Sequence, residues 1–324
     1  MSAWTLDFVG TGGFHSAHWK GFPCTLLNSG SSKVIFDCGE GSLASLRSLG
    51  ISGGIDAALL SGATAEELLG LVSVADWLGS ARRSTPLSIV GPEGTVRVMD
   101  SLQTLKRGRK FRSRVHDASA HEVVFETPTL TITTFGLVRD AHDHGLGFIV
   151  QESDLPGRVD MEAAERFGLT GRDIGRLVRG EAVDGVDPAE VVGPARPGRR
   201  VVIAGRTRPS DYLLDALRSA DVALLAAAYI DERWDVANAT GTMTAWEAAL
   251  AASNAGVSLV ALYNVSSSNR DRVVLLEAGT YHPRVIVPGD GDRLEIPQRD
   301  SGNAPTLIRR QQRRVVRGNA AQSS

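Results

Sequence analysis

Residues 36–42 read Phe36-Asp37-Cys38-Gly39-Glu40-Gly41-Ser42, where a predicted strand ends and a predicted helix begins. Apolar residues around a serine- and glycine-rich turn indicate a hairpin with strands at 24–28 and 33–37. Two glycines then break the strand, and a short helix follows over 42–49. Outward from this segment, strands outnumber helices early in the chain and alternate with them later. The pattern predicts an α/β fold of two mixed β-sheets flanked by helices, an αββα sandwich.

The remaining elements follow from apolar periodicity and from glycine or proline breaks. Strands are predicted at 4–9, 55–60, 87–90, 122–126, 130–135, 147–151, 201–204, 222–226 and 258–263. Helices are predicted at 66–78, from 95 to about 105, and at 212–219, 244–255 and 270–278.

Composition is that of a globular protein: 324 residues, 42% hydrophobic and 22% charged. The net charge of −2 gives no global attraction to nucleic acid. No apolar run approaches membrane-spanning length, and the first residues lack the pattern of a secretory signal. Cys24 and Cys38 lie in apolar segments, which indicates reduced thiols. We therefore expect a cytoplasmic protein with no membrane partner.

Two segments depart from the regular alternation of elements. Residues 155–190 are polar, charged and glycine-bearing, which predicts an arm-like insertion in a single domain over 1–300. Residues 301–324 are polar and basic, which predicts a solvated tail.

Ordered motifs carry a resemblance to a known family. Phe8-Val9-Gly10-Thr11-Gly12 and residues 36–42 closely resemble RNase Z, a metallo-β-lactamase-fold endonuclease that matures tRNA 3′ ends. Further motifs match in order over roughly residues 4–280. They are Ile55-Asp56-Ala57, Pro86 to Gly94, Gly147-Phe148-Ile149-Val150, Leu155 to Asp160, Gly198 to Gly205 and Ala220-Asp221-Val222. The resemblance implies the metallo-β-lactamase-type αββα sandwich.

The family's zinc ligands are not retained at the matching positions. The resemblance implies two zinc ions held by histidines and aspartates, beginning with a Thr-His-x-His-x-Asp-His run. That run falls on Ser61-Gly62-Ala63-Thr64-Ala65-Glu66-Glu67. The other ligand and catalytic positions fall on Ala141, Arg206, Ala226, Thr242 and Asn264. An arginine has no lone pair to donate to a metal. We therefore predict a degenerate metal site without a metal cofactor, and no zinc-dependent RNase activity.

Charged replacements at these positions suggest an anion site. Arg206 would supply a fixed cation, and Glu66 or Glu67 would act as a general base once burial raises its pKa. The neutral donors and acceptors would bind the substrate; they are Thr64, Thr242, Tyr263, Asn264 and Ser266. An alternative is a salt bridge between Arg206 and the glutamates that fills the old cavity.

The loops add further candidates for substrate binding. His15, His18 and Lys20 lie in a first loop that borders the active-site mouth in this family, and His142 and His144 lie near position 141. The basic stretch 106–114 is interpreted as a solvated face. Residues 167–173 lack the prolines of the family's tRNA-gripping arm, so a nucleic-acid partner is not expected.

The sequence favours two functions over a third, residual RNA processing, for which the metal would have to supply the nucleophile. The first is a metal-independent enzyme performing elimination, cyclisation or similar acid–base chemistry on a small anionic metabolite in specialised biosynthesis. The alternative is a non-catalytic pseudoenzyme that serves as a binding or scaffold partner. The resemblance implies a homodimer through the surface near residues 40–80, and a heteromer remains open. No cofactor is expected, because Gly10-Thr11-Gly12-Gly13 lacks the spacing of a dinucleotide loop.

Overall fold

The computed structural model describes residues 3–13, 17, 19–80, 85–103, 113–140 and 144–310. The strands of the described residues are β1 (Trp4–Gly10), β2 (Cys24–Asn28), β3 (Lys33–Phe36), β4 (Ala57–Leu59), β5 (Leu87–Gly91), β6 (Ser113–Asp117), β7 (Val123–Thr127), β8 (Leu130–Val138), β9 (His144–Glu152), β10 (Arg200–Ala204), β11 (Val222–Tyr229), β12 (Met243–Thr244), β13 (Leu259–Tyr263), β14 (Val285–Ile286), β15 (Arg293–Ile296) and β16 (Thr306–Ile308). The α-helices are α1 (Ser42–Ser48), α2 (Ala65–Leu68), α3 (Gly70–Ser80), α4 (Thr95–Gln103), α5 (Met161–Arg166), α6 (Gly171–Val178), α7 (Asp211–Leu217), α8 (Trp234–Ala239), α9 (Ala245–Asn254) and α10 (Asp271–Gly279).

Two mixed sheets form the centre of the protein. The first has the order β16-β15-β1-β2-β3-β4-β5-β6, antiparallel up to β3 and parallel from β3 to β6. The second has the order β14-β13-β11-β10-β9-β8-β7, parallel up to β10 and antiparallel beyond it, and β12 pairs with β11. This architecture confirms the predicted sandwich.

Apolar side chains fill three layers. Between the sheets, Phe36 and Phe148 contact each other with ring centroids 5.5 Å apart. Helices α1, α3 and α4 cover the outer face of the first sheet, and α7, α9 and α10 cover the second. Burial of such side chains contributes about 25 cal/mol per Å² of apolar surface, which makes the αββα stack the stable arrangement.

The predicted helix over 66–78 is two helices in the structure. It breaks at Leu69, and the N–H of Gly70, the first residue of α3, donates to the carbonyl of Cys38 at 2.8 Å. A Cβ at position 70 would clash with the backbone of Gly39. The break therefore lets the helical segment approach the glycine turn after β3, a contact that apolar periodicity does not reveal.

Several strands were missing from the sequence prediction. Ser113–Asp117 forms β6, although 106–114 was interpreted only as a basic face, and residues 106–112 lie outside the described residues. Thr306–Ile308 pairs with β15, so this part of the expected solvated tail extends the first sheet. Both strands are short, and their pairing with neighbours rather than their own pattern stabilises them.

The segment between β9 and β10 has its own small core. Ala163, Ala164, Leu177 and Val183 are buried together within it. The two ends of the segment, which we call its root, are joined by an antiparallel backbone bridge between Leu155 and Arg196. Within the described part of the chain, no helix combines the length and apolarity needed to cross a membrane.

Candidate functional site

The candidate site lies where loops from both sheets meet. One wall follows β4 and contains α2, and the other follows β10, β11 and β13. A parallel bridge between Gly12 and Val265 joins the segment after β1, in the first sheet, to the wall after β13. Because the carboxyl ends of parallel strands share one edge, residues from distant parts of the chain converge here.

Glu67 is the carboxylate at the centre of the site. It lies in the first turn of α2, where its Oε2 accepts hydrogen bonds from the backbone N–H of Thr64 at 3.1 Å and from the Thr64 hydroxyl at 2.6 Å. This pair is a capping box, which satisfies the start of the helix and fixes the carboxylate. The Glu67 side chain is only 4% exposed.

Arg139 pairs with Glu67 from the opposite sheet. It follows β8, its side chain is fully buried, and its Nη2 lies 2.9 Å from Glu67 Oε1. The same guanidinium donates to the Ser61 carbonyl at 2.8 Å and, through Nε, to the Arg206 carbonyl at 3.1 Å. Burial acts to raise the pKa of Glu67, but Arg139, the Thr64 hydrogen bonds and Arg206 together lower it below the ordinary value.

Arg206 and Glu66 form the more accessible side of the cluster. The Arg206 side chain is 15% exposed, and its Nε lies 3.4 Å from Glu66 Oε1, whereas its Nη2 is 3.9 Å from Glu67 Oε1. Burial and the neighbouring Glu67 charge raise the pKa of Glu66, although Arg206 opposes the shift. Arg139 is therefore the closer partner of Glu67, and Arg206 chiefly faces Glu66.

Asp37 is a second buried carboxylate beneath the cluster. It accepts hydrogen bonds from the Ser61 N–H at 2.7 Å and the Ser61 hydroxyl at 3.0 Å. Burial, followed by repulsion from Glu67, raises the pKa of Asp37 to about 7. Asp37 therefore changes protonation near neutral pH while remaining out of contact with solvent.

The space inside the cluster is almost filled. A cavity of about 10 Å³ remains between Glu66, Glu67, Arg206 and Asn264. That is about the space of one water molecule. A larger open groove of about 550 Å³ lies on the other side of Thr64, with Arg97, Asp117 and His144 along it. Ligands larger than water can therefore reach the groove but not the interior of the cluster.

The structure distributes the other predicted site residues over several roles. Buried Tyr263 donates to the Ala204 carbonyl at 3.3 Å, and burial raises its pKa well above the ordinary value. Ser266 lies at the rim, within 2.9 Å of the Ser268 hydroxyl. Lys20 is 4% exposed, and its Nζ is 2.6 Å from Asp271 Oδ1, which ties the first loop to α10.

Two predicted residues have buried side-chain oxygens that no hydrogen-bond donor among the described residues reaches. They are Thr242 Oγ1 and Asn264 Oδ1, and Asn264 also has a positive φ of 55°. His144 is exposed on the groove. His15, His18 and His142 lie outside the described residues.

The sequence prediction missed Arg139 and assigned no role to Asp37. The sequence did contain a feature that could have indicated Arg139 as a site residue. It is a cation at the end of an apolar strand, two positions before Ala141, where the resemblance implies a family ligand. Asp37 lies within the motif used to recognise the family. Neither residue could be paired with its partner by spacing alone, because the partners lie on other elements.

The arrangement limits the chemistry available. Arg206 can donate to a phosphate or carboxylate oxygen at the mouth, and Glu66 is the carboxylate able to exchange a proton there. Among the residues that the structure describes, no three His, Cys, Asp or Glu side chains are placed to hold a metal ion.

Relatives match the chain almost from end to end. A protein named Ribonuclease Z from Halorubrum lacusprofundi is 30% identical over 91% of this chain and 98% of its own length. Proteins of the same name from Myxococcus xanthus and Haloferax volcanii are 31% and 32% identical, over 93% and 92% of this chain and 100% and 98% of their own lengths. No family model matches the chain.

Solved structures share the fold. Human tRNase Z, short form, aligns with a TM-score of 0.65 at 17% identity, over 90% of this chain and 99% of that one. A metallo-β-lactamase fold protein from Bacillus subtilis also has a TM-score of 0.65, at 15% identity, over 91% of this chain and all of that one. At these identities the likeness establishes the metallo-β-lactamase fold.

These comparisons correct three expectations. The relatives' name contradicts the metal-independent lyase or cyclase for a small anionic metabolite, and also its alternative, a non-catalytic pseudoenzyme. It conflicts as well with the exclusion of RNase activity and of nucleic-acid partners. A cavity of about 10 Å³ also has no room for a metabolite. The net charge of −2 is no argument against a nucleic-acid partner, because RNA binding in general depends on local cationic surfaces rather than on total charge.

Proposed function

Because this chain belongs to the ribonuclease Z family, we propose that it acts on RNA, with precursor tRNA as the substrate class. The observation that carries the proposal is the extent of the match, which includes over 90% of the chain and nearly the full length of each relative. Such coverage takes in both sheets, the loops of the candidate site and the segment between β9 and β10.

We propose that the RNA backbone lies in the groove beside the cluster. Its volume of about 550 Å³ is enough for a nucleotide. Arg97 offers a guanidinium for a phosphate, and Thr64 and His144 offer hydrogen bonds. At the mouth of the cluster, Arg206 and Glu66 would meet the neighbouring phosphate and a hydroxyl, while Glu67 holds the loop in place.

We further propose that the zinc-ligand positions of the family are degenerate here. Arg139 and Arg206 bring two permanent cations to Glu67, and a divalent ion beside them would be repelled. One oxygen of Glu67 is bonded to Thr64 and the other is paired with Arg139. Two zinc ions do not fit this donor set or the remaining cavity.

The arrangement of the whole chain is part of the proposal. A single domain would carry residues 155–190 as an arm that extends the RNA-binding surface. Cys24 and Cys38 are buried free thiols, which fits a reducing cytoplasm. A homodimer through the surface near residues 40–80 would place two such sites in one particle.

The test is direct binding of RNA. Fluorescence anisotropy would compare a labelled precursor tRNA carrying a 3′ trailer with a DNA hairpin of the same sequence. We expect tighter binding of the RNA, weakened roughly three- to tenfold by Arg97→Ala or Arg206→Ala. Arg218→Ala is the matched control, because Arg218 is an exposed arginine that follows α7 and pairs with Asp215 of that helix. Equal affinity for the DNA hairpin, or equal losses in all three variants, would contradict the proposal.

A second measurement concerns the metal. We expect the purified protein to contain far less than one zinc per chain by elemental analysis. We also expect any trailer removal to be the same in EDTA as in added zinc. Stoichiometric zinc, or cleavage that appears only with zinc, would show that the degenerate-site proposal is wrong while leaving RNA as the substrate.

A further inference from the structure

A single buried guanidinium connects the loops of the candidate site. Arg139 donates to the Ser61 carbonyl after β4 and to the Arg206 carbonyl after β10, and it pairs with Glu67 of α2. Ser61 also accepts from the Leu146 N–H of β9 at 2.9 Å. The Arg139 side chain, which follows β8, thus links the end of that strand to the segments after β4 and β10 and to α2. A metal ion with ligands on several loops has the same structural role.

Glycines surround this guanidinium on several sides. A Cβ at Gly62 would clash with Arg139 Nη1 and with both carboxylate oxygens of Glu67. A Cβ at Gly145 would lie 2.6 Å from Arg139 Nε, and one at Gly241 would clash with the Arg139 carbonyl. Gly62 and Gly145 have ordinary φ values, so backbone conformation does not require glycine there. The reason is space: at Gly62 a Cβ would meet the Arg139 guanidinium and the Glu67 carboxylate, and at Gly145 it would meet the guanidinium and the Ser61 carbonyl.

We infer that Arg139 is a fixed internal cation that takes over the cross-linking role of a metal, and that Arg139 and Glu67 together occupy the space a side chain at position 62 would need. The matching family ligand at position 62 is a histidine, whose Cβ would displace Arg139 Nη1 and the Glu67 carboxylate from their positions here. Arg139 is accordingly a positioning residue: it acts by holding Glu67 and the carbonyl of Arg206. The inference is independent of RNA binding.

The first test is a double-mutant cycle between positions 62 and 139. Gly62→Ala should lower the Tm of the otherwise unchanged protein by several degrees, because the methyl group displaces the Arg139 guanidinium and the Glu67 carboxylate paired with it. In an Arg139→Ala background the same change should lower the Tm by clearly less, because only the Glu67 carboxylate is then displaced. Equal losses of Tm in both backgrounds would contradict the inference that the Arg139 guanidinium occupies the space beside Gly62. Gly171→Ala is the control, since a Cβ there meets nothing within 4 Å.

Arg139→Ala leaves Glu67 buried without its partner, so a Tm loss of roughly 6–10 °C is expected. If that variant fails to fold, Arg139→Ala/Glu67→Gln removes both charges and serves as the alternative background. The cycle is then repeated there with Gly62→Ala, and the same attenuation is expected.

Chemical rescue distinguishes a specific cation site from general packing. Millimolar ethylguanidinium should raise the Tm of Arg139→Ala by several degrees and leave the wild type unchanged, because it fills the vacated site and pairs with Glu67. Ethylammonium and urea at equal concentration should do much less. Equal effects of all three additives on both proteins would overturn the inference, and so would a rise in wild-type Tm on adding zinc.

Discussion

At the scale of single residues, the unusual group is Asp37, a buried carboxyl with its pKa raised to about 7. Burial disfavours its charged form, and the neighbouring charge of Glu67 adds to the effect. The folded state therefore holds a proton on Asp37 that the unfolded chain releases near pH 4. Protonated Asp37 therefore contributes to the free energy of unfolding in full below about pH 4, and this contribution is lost as the pH rises through about 7.

We predict that Asp37→Asn stabilises the protein progressively as pH rises. The amide keeps an acceptor for Ser61 and tolerates the positive φ of 52° at this position. The variant-minus-wild-type difference in free energy of unfolding should grow by about 1.4 kcal/mol per pH unit from pH 4 to pH 7 and then level off. Urea denaturation at pH 5, 6, 7 and 8.5 measures it. A difference that is constant across this range would refute the raised pKa.

At the scale of elements, α2 is too short to be stable without its cap and its tertiary contacts. Thr64 and Glu67 satisfy the first turn, and the same two groups place Glu67 against Arg139. A nearly identical capping box begins α6, where the Thr170 hydroxyl donates to Asp173 at 2.6 Å. The two boxes differ in burial, because Glu67 is buried, whereas Thr170 is exposed and Asp173 is only partly buried.

We predict that Thr64→Ala lowers the free energy of unfolding by about 2 kcal/mol, the upper end for loss of a helix cap. It should also raise the pKa of Glu67, since the lost hydrogen bond from the Thr64 hydroxyl favours the charged carboxylate. Thr170→Ala is the matched control and should cost less than half as much, because solvent replaces the lost hydrogen bond. Equal losses in chemical denaturation would mean that the buried cluster adds nothing to the cap.

At the scale of the whole molecule, the segment between β9 and β10 is joined to the body at a narrow root. The backbones of Gly157 and Gly193 come so close that a Cβ on Gly157 would clash with the Gly193 carbonyl. Beyond that point the segment buries its own apolar residues. Arg158 and Arg196 both pair with Asp300, which fixes the root to the body.

We predict that removing residues 158–192 and joining Gly157 directly to Gly193 preserves the sandwich. The Tm should change by less than about 5 °C, because little of the main core is lost. The affinity for precursor tRNA should fall at least tenfold, because the arm would extend the RNA-binding surface. Circular dichroism and anisotropy measure the two effects. Unchanged affinity would exclude the arm from RNA contact, and Arg158→Ala is the control that keeps the arm.

The sequence by itself determined the fold. Alternating apolar residues, glycine turns and the 36–42 motif are properties of short segments, and each short segment reports its own tendency to form strand, turn or helix. Edge strands such as β16 were missed because three residues carry almost no periodic signal, and their neighbours in the sheet decide their state.

The tertiary structure alone decided the candidate site. The sequence placed Arg206 opposite Glu66 and Glu67; in the structure Arg206 lies 3.4 Å from Glu66, but the cation closest to Glu67 is Arg139 at 2.9 Å, with Arg206 at 3.9 Å. Both are arginines at the ends of strands, so residue type could not distinguish them. Only the meeting of the two sheets sets which guanidinium reaches Glu67 and how little space remains, because ion pairing and cavity volume depend on distances between elements far apart in the chain.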